Sequence, residues 1–430
     1  MIEKVAKSAQ SAFIHLSALP EEVRNNALKE IASALKLRGD EIEKANNQDL
    51  ENSIKNNYPQ PLVKRLKFDQ AKIQEVVDGI QSLIQLPDPI GITLSATELD
   101  AGLELYKVTS PIGVIGVIFE SRPDALIQIS TLCLKSGNAV LLKGGSEAMN
   151  TNHILADIIY TASLKAGIPE NWMHLLETRS DVNQMLKLDE YIDLIIPRGS
   201  NEFVKYIMDN SNISVLGHAD GICHVFADQS ADIDMAIKVI EDSKCQYVAV
   251  CNATETLLVH DKIAAKLLPG LKTVLDKHQV RLIGCQRTAE IIDVELANEQ
   301  DWKTEYLDYT LSIKIVDNID EAIQHINTYG SGHTDAIITQ DEKEAVKFMN
   351  LVDSGDVFWN CSTRFSDGFR YGLGAEVGVS TNKIHARGPV GLEGLMIYKW
   401  RLIGNGNIVS DYSSGKKKFT HKKLDKKYPL

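Results

Sequence analysis

Along the first 90 residues the apolar positions fall at helical spacing: Val23, Ala27, Ile31 and Leu35 recur at every fourth residue, and Ile73, Val76, Val77, Ile80, Leu83 and Ile84 trace a second stripe. Pro87 and Pro89, on either side of Asp88, end that second helix. Beyond them come short continuous apolar runs, VIGVIF from 114, AVLLK from 139, DLIIP from 193 and HVFA from 224, separated by segments of helical spacing such as 148–165. Apolar runs that alternate with helices predict a parallel sheet covered by helices, the α/β class. A second set follows from about residue 225, with TLLVH, VRLIG, LSIKIV, DAIIT and DVFWN starting at 256, 280, 311, 335 and 356, and predicts a second α/β domain. LELYKV, shortly before Pro111, and LMIYKW, from 395, each read as an outlying strand.

Charge and cysteine usage exclude some functions without altering that picture. Lys and Arg number 46 against 58 Asp and Glu, a formal charge of −12 over 430 residues, which is no footprint for nucleic acid. The lysine-rich end, GKKKFTHKKLDKKYPL, is the exception. A solvated tail is favoured there over a nucleic-acid or membrane arm, because neither an amphipathic stripe nor interleaved aromatics accompany the charge. The first twenty residues lack the apolar block of a signal peptide, and no run approaches the ~20 residues of a membrane-spanning helix. Cys133, Cys223, Cys245, Cys251, Cys285 and Cys361 are scattered and form no CxxC pair, which suits a reducing compartment. The expectation is a cytoplasmic protein with neither nucleic acid nor membrane as partner.

Several segments carry candidate chemistry. GLGAEVG at 372–378 imitates a dinucleotide fingerprint with one residue too many and carries little weight; HExxH and close Cys or His quartets are missing, so no metal is expected. PIGVIGVIFESRPD, from 111, runs an apolar strand into a proline-marked turn holding Ser121 and Arg122, and strand ends are where α/β sheets bind ligands. LLKGGSE, from 141, sets Lys143 beside Gly145 and Ser146, where backbone amides and a cation can hold a phosphate. DLIIPRGSNEF repeats the arrangement with Gly199 and Ser200, and two such turns suggest a phosphate-bearing cofactor. Cys251, in VAVCNATETLLVH, precedes a polar Asn252 and a helix-prone stretch; backbone amides at a helix start or a nearby cation would make it nucleophilic, while a structural cysteine is the plainer alternative. Cys245, six residues earlier, is a conceivable resolving thiol, and His218, His333 and His385 lie in glycine-rich turns with no partner visible in sequence.

Taken together, these segments resemble the aldehyde dehydrogenase superfamily, in its γ-glutamyl phosphate reductase branch, over nearly the whole chain. VDNIDEAIQHINTYGSGHTDAI, from 316, and GLGAEVGVSTNKIHARGPVGLEGL, from 372, are the most specific matches. The resemblance implies a Rossmann-type cofactor domain, an α/β catalytic domain and a small strand extension for oligomerisation. On the chain these become residues 1–224 with a return segment at about 368–394, residues 225–367, and strands at about 98–110 with 395–415, followed by the basic tail 416–430. It makes Cys251 the nucleophile, Arg122 or Asn252 the oxyanion donor, and Lys143, Gly145, Ser146, Gly199, Ser200 and Glu305 the contacts of NADPH. Ser121, Arg122 and Arg387 would bind substrate, although Arg387 reads equally well as an arginine that closes its loop.

The implied reaction is NADPH-dependent reduction of L-γ-glutamyl phosphate to glutamate 5-semialdehyde, the second step of proline biosynthesis, with a glutamate 5-kinase as possible partner and a homodimer or higher homo-oligomer as assembly. Where hydrolytic members of the superfamily carry a general-base glutamate, SVLGHAD places Val215, so a thioester would outlast attack by water.

Overall fold

The computed structural model describes residues 2–177, 179–218 and 220–429. The chain divides into two compact units: residues 1–199, 206–215 and 391–430 form the first, and residues 200–205 with 216–390 the second. These limits differ from those read in the sequence. The break expected at 224/225 falls at 215/216, and the segment 368–390, expected to return to the first unit, packs within the second.

The first unit begins with the expected helices. Ala27, Ile31 and Leu35 are fully buried along Glu21–Leu37, and Ile73, Val77, Ile80 and Leu83 line the buried face of Gln70–Gln85. The Asp69 carboxylate caps the latter by accepting from Lys72 N at 3.1 Å, and the helix stops two residues before Pro87. A four-stranded sheet follows, in the order Met173–Leu176, Ala139–Lys143, Val114–Phe119, Leu194–Arg198, every pair parallel. Met173–Leu176 escaped the pattern reading because only its two end residues are buried.

A second sheet in this unit is antiparallel: Met396–Ile403, Leu103–Pro111, Thr93–Asp100 and Lys422–Leu424. Its last strand corrects the solvated tail. Ala96 is in register with Leu424, the Tyr428 ring meets Tyr106 edge-on at 5.5 Å, and Lys426 Nζ pairs with Glu104 at 2.6 Å. The lysines point their charge outward while Leu424 and Tyr428 pack, which is how a charged segment can still be a strand.

The second unit is built on a seven-stranded parallel sheet, ordered Glu295–Leu296, Arg281–Gly284, Thr310–Val316, Thr254–His260, Cys223–Ala227, Thr334–Ile338, Asp356–Trp359. All five runs predicted here lie in it. HVFA also belongs to this sheet, as Cys223–Ala227. Both faces are covered, one by a core that includes Val225, Leu257, Leu267, Leu271 and Ile313, the other by Phe226, Leu258, Ile323 and Phe348, which is why its strands read as unbroken apolar runs. Among the described residues no helix is long and apolar enough to cross a membrane.

Candidate active site

Three neighbouring strands of the seven-stranded sheet begin at one place. Cys251 lies in the turn leading into Thr254–His260, Cys223 opens the next strand, and His333 directly precedes Thr334–Ile338. No helix starts at Cys251. The stretch read as helix-prone is a strand, as its β-branched Thr254, Thr256 and Val259 favour, so a helix terminus does not supply the charge that activates this thiol.

What meets it is His333, whose Nε2 lies 3.1 Å from Cys251 Sγ. His333 Nδ1 is 2.8 Å from Thr334 Oγ1, and the Thr334 hydroxyl bonds to the Asp356 carboxyl. With the Thr334 proton committed to Asp356, its oxygen accepts from His333 Nδ1–H, and Nε2 is left with the lone pair that faces the thiol. Burial raises Asp356, while donors from Tyr371 at 2.6 Å and Ser366 at 2.9 Å pull the other way. Burial, and then His218, hold His333 well below the ordinary imidazole value. The ring is neutral at physiological pH, with its Nε2 lone pair toward the Cys251 thiol, the geometry a general base requires. Replacing His333 by glutamine therefore lowers kcat/KM by about 10²–10⁴-fold with the fold retained, measured as steady-state rate beside circular dichroism. A variant that keeps wild-type kcat/KM would remove His333 from the chemistry.

The backbone beneath the thiol is tightly seated. A Cβ on Gly221 would lie 2.1 Å from the Cys251 carbonyl oxygen and 2.5 Å from its Cα, so only glycine fits there. The buried Cys223 thiol donates to the Cys251 carbonyl at 3.1 Å, and Thr363 Oγ1 donates to that of Asn252 at 2.7 Å. Arg364, anchored by Gln246 Oε1 at 2.9 Å, feels a Cys251 thiolate: burial and Arg370 lower its pKa, and Cys251 raises it.

Asn252 turns its Nδ2 onto the Ser366 carbonyl at 2.7 Å, with one amide proton remaining. Glu305 is held by Asn201 Nδ2 and by the backbone N–H of Gly221, and burial raises its pKa. Its carboxyl is thereby tied to the residue on which Cys251 rests. All three guanidinium nitrogens of Arg387 are engaged, with Asp353 Oδ1 at 3.0 Å, the Asp353 carbonyl at 2.9 Å and the Thr381 carbonyl at 3.3 Å. That supports the loop-closing reading over substrate binding. Cys245 sits at the end of Ile233–Cys245, and burial pushes its thiol up to about 11, which works against a resolving role.

In the first unit, Ser121 adopts φ 53° and gives both its N–H, at 2.6 Å, and its hydroxyl, at 3.0 Å, to Glu147 Oε1. Arg122 follows, exposed, at the start of Pro123–Lys135. Lys143 Nζ bonds the Gly144 carbonyl, and Ser146 opens a single 3-10 turn. A Cβ on Gly145 would lie 2.0 Å from Glu147 Oε1, so a carboxylate borders this glycine. Gly199 and Ser200 are exposed ahead of Asn201–Asn210. A lysine at a strand end and amides at a helix start are the kinds of donor that can hold the phosphates of a nicotinamide dinucleotide. An anionic neighbour works against phosphate at Gly145.

A fold of this kind, with a cysteine nucleophile candidate at the strand ends, agrees with comparison to known proteins. The model of the aldehyde dehydrogenase family matches residues 1–282 and 297–375, and the chain belongs to that family. It is 66% identical over 429 residues to a γ-glutamyl phosphate reductase from Acetivibrio thermocellus, covering 100% of both chains. The crystal structure of the γ-glutamyl phosphate reductase of Thermotoga maritima matches with TM-score 0.92 and 41% identity, over 94% of this chain and 99% of that one. A glyceraldehyde-3-phosphate dehydrogenase from Methanocaldococcus jannaschii, solved with NADP, shares the fold at TM-score 0.63 and 19% identity, over 94% of each chain.

Proposed function

We propose that the chain reduces L-γ-glutamyl phosphate to L-glutamate 5-semialdehyde and phosphate, with NADPH, in the proline branch of amino-acid biosynthesis. The observation that carries the chemistry is the 3.1 Å approach of His333 Nε2 to Cys251 Sγ, and the substrate follows from the similarity to γ-glutamyl phosphate reductases. Cys251 Sγ attacks the γ-carbonyl as its proton passes to His333, and the Thr334 and Asp356 relay steadies the imidazolium that forms. The oxyanion is held by a backbone amide near Cys251 together with Arg122 or the remaining Asn252 proton; losing one such donor typically costs about 10²–10³-fold in rate. Phosphate leaves, and the planar, forked guanidinium of Arg122 suits its departing oxygens. The nicotinamide cofactor, when bound, supplies the hydride that reduces the thioester. The thiohemiacetal then collapses, Cys251 departs as a thiolate eased by Arg364, and the aldehyde is released.

Lys143, Gly145, Ser146, Gly199, Ser200 and Glu305 are the residues assigned to NADPH, and Ser121 and Arg122 those assigned to substrate. Val215 is buried and apolar, which offers no proton acceptor at that position. The strand Met396–Ile403 exposes Ile397, Tyr398, Trp400 and Leu402, in support of a homodimer or higher homo-oligomer. Among the described residues the six cysteines form no disulfide, in support of a reducing compartment such as the cytoplasm. A glutamate 5-kinase would supply the labile acyl phosphate.

The reverse reaction provides the test. Glutamate 5-semialdehyde and NADP give NADPH only when inorganic phosphate is added. Turnover without phosphate would mean that water resolves the thioester, with His333 as the base that activates it, and would replace this reading by that of an aldehyde oxidiser.

A further inference from the structure

His218, Cys251 and His333 each offer one ligand atom, and these atoms lie within 4.8 Å of one another. His218 Nδ1 is 3.0 Å from the Val379 carbonyl, an atom that only accepts, so Nδ1 carries the proton and Nε2 the lone pair. His333 has the same arrangement, with Nδ1 on Thr334 Oγ1 at 2.8 Å and Nε2 toward the thiol at 3.1 Å. The two rings stand edge to face, their centroids 4.9 Å apart. An imidazole whose Nδ1–H is fixed by an oxygen acceptor carries its lone pair on Nε2, the form in which histidine ligates metal. One sulfur and two such nitrogens are a donor set for a borderline-soft divalent cation. Zn–S and Zn–N bonds of about 2.3 and 2.0 Å place tetrahedral N,N and S,N donors about 3.3–3.5 Å apart, so small side-chain rotations close the cluster.

We propose that His218, Cys251 and His333 form a Zn²⁺ site that reversibly switches the enzyme off. On binding, the Cys251 thiol gives its proton to solvent and the thiolate becomes a ligand beside the two Nε2 atoms. Three protein ligands leave a fourth position for water. Loss of activity follows because the thiolate and the lone pair of His333 are then both occupied. This consequence rests on Cys251 being the nucleophile; the coordination itself does not. The spacing of the three residues along the chain matches no zinc motif, and the cluster exists only because neighbouring strands begin together.

Co²⁺ is the probe that separates the two. Titrated into metal-free full-length protein, it gives a thiolate-to-cobalt charge-transfer band and the visible absorption of a tetrahedral site. The band is lost in Cys251→Ser, and binding weakens at least about tenfold in His218→Gln. Zn²⁺ at the same site protects wild-type Cys251 from alkylation by iodoacetamide, a measurement that needs no variant to fold. Absence of the band in wild type, its persistence in Cys251→Ser, unchanged affinity in His218→Gln, or alkylation indifferent to Zn²⁺ would each overturn the proposal. A cobalt band in a protein without phosphate-dependent turnover would instead overturn the reductase reading and leave the metal site standing.

Discussion

Cys251→Ala abolishes turnover, by roughly 10⁴–10⁶-fold in the phosphate-dependent assay, and leaves the unfolding midpoint within about 2–4 °C of wild type. The rate falls so far because every covalent step of the proposed reaction passes through the sulfur. Stability barely changes because the half-buried side chain contributes little packing, whereas the backbone it hangs from is fixed by Gly221, Cys223 and Thr363, all untouched by the substitution. More than about a hundredth of wild-type activity in the variant would transfer the nucleophile elsewhere.

Lys244→Met produces the largest expected loss of stability. Lys244 Nζ and Glu255 Oε2 pair at 2.6 Å with both side chains at 0% exposure, and Glu255 Oε1 accepts from Leu307 N at 3.2 Å. Removing the ammonium strands a carboxylate in the interior, at a cost of about 3–5 kcal/mol. The pH dependence has a definite sign. Burial raises Glu255 from 4.5 to about 7 even with Lys244 beside it. The folded state therefore holds that proton more tightly than the unfolded chain, and this group's contribution to stability is full below about pH 4.5 and lost as pH rises through about 7. Without Lys244 the carboxyl is harder still to ionise, so the penalty grows with pH. Urea denaturation at pH 6 and pH 8.5 should show the larger deficit at the higher pH. A deficit under about 1 kcal/mol at pH 8.5 would mean that water or another cation already shields Glu255.

The fold was readable because its strands are buried on both faces. Continuous runs such as Val114–Phe119 and Thr310–Val316 leave little choice of class. Met173–Leu176, with two of its four residues only partly buried, carried no such signal. Cys251 gained its role from resemblance, since its immediate sequence suggested a helix that does not form. His333 stayed hidden for a different reason. It lies 82 residues from Cys251, and only the order of strands in the sheet brings the two together. The usual expectation for parallel sheets looks to the carboxyl ends of strands, yet this cluster sits where strands begin. A usable hint did exist: Cys251 and His333 each stand just before a threonine-led strand, Thr254–His260 and Thr334–Ile338. His333 also complicates the argument from Val215, because a neutral imidazole at the thiol can serve water as readily as sulfur. Phosphate dependence, rather than the absence of a glutamate, therefore decides between reductase and oxidiser.

The lysine-rich end misled for the opposite reason, its charge outweighing three residues of strand. Lys422–Leu424 closes the side of Thr93–Asp100 that would otherwise present bare backbone N–H and C=O groups. Truncation at residue 415 would thus do more than lower the positive charge. It would unzip a seam, uncovering Tyr106 and a ready template for stray strands, so that a shortened protein clumps for reasons unrelated to its lysines.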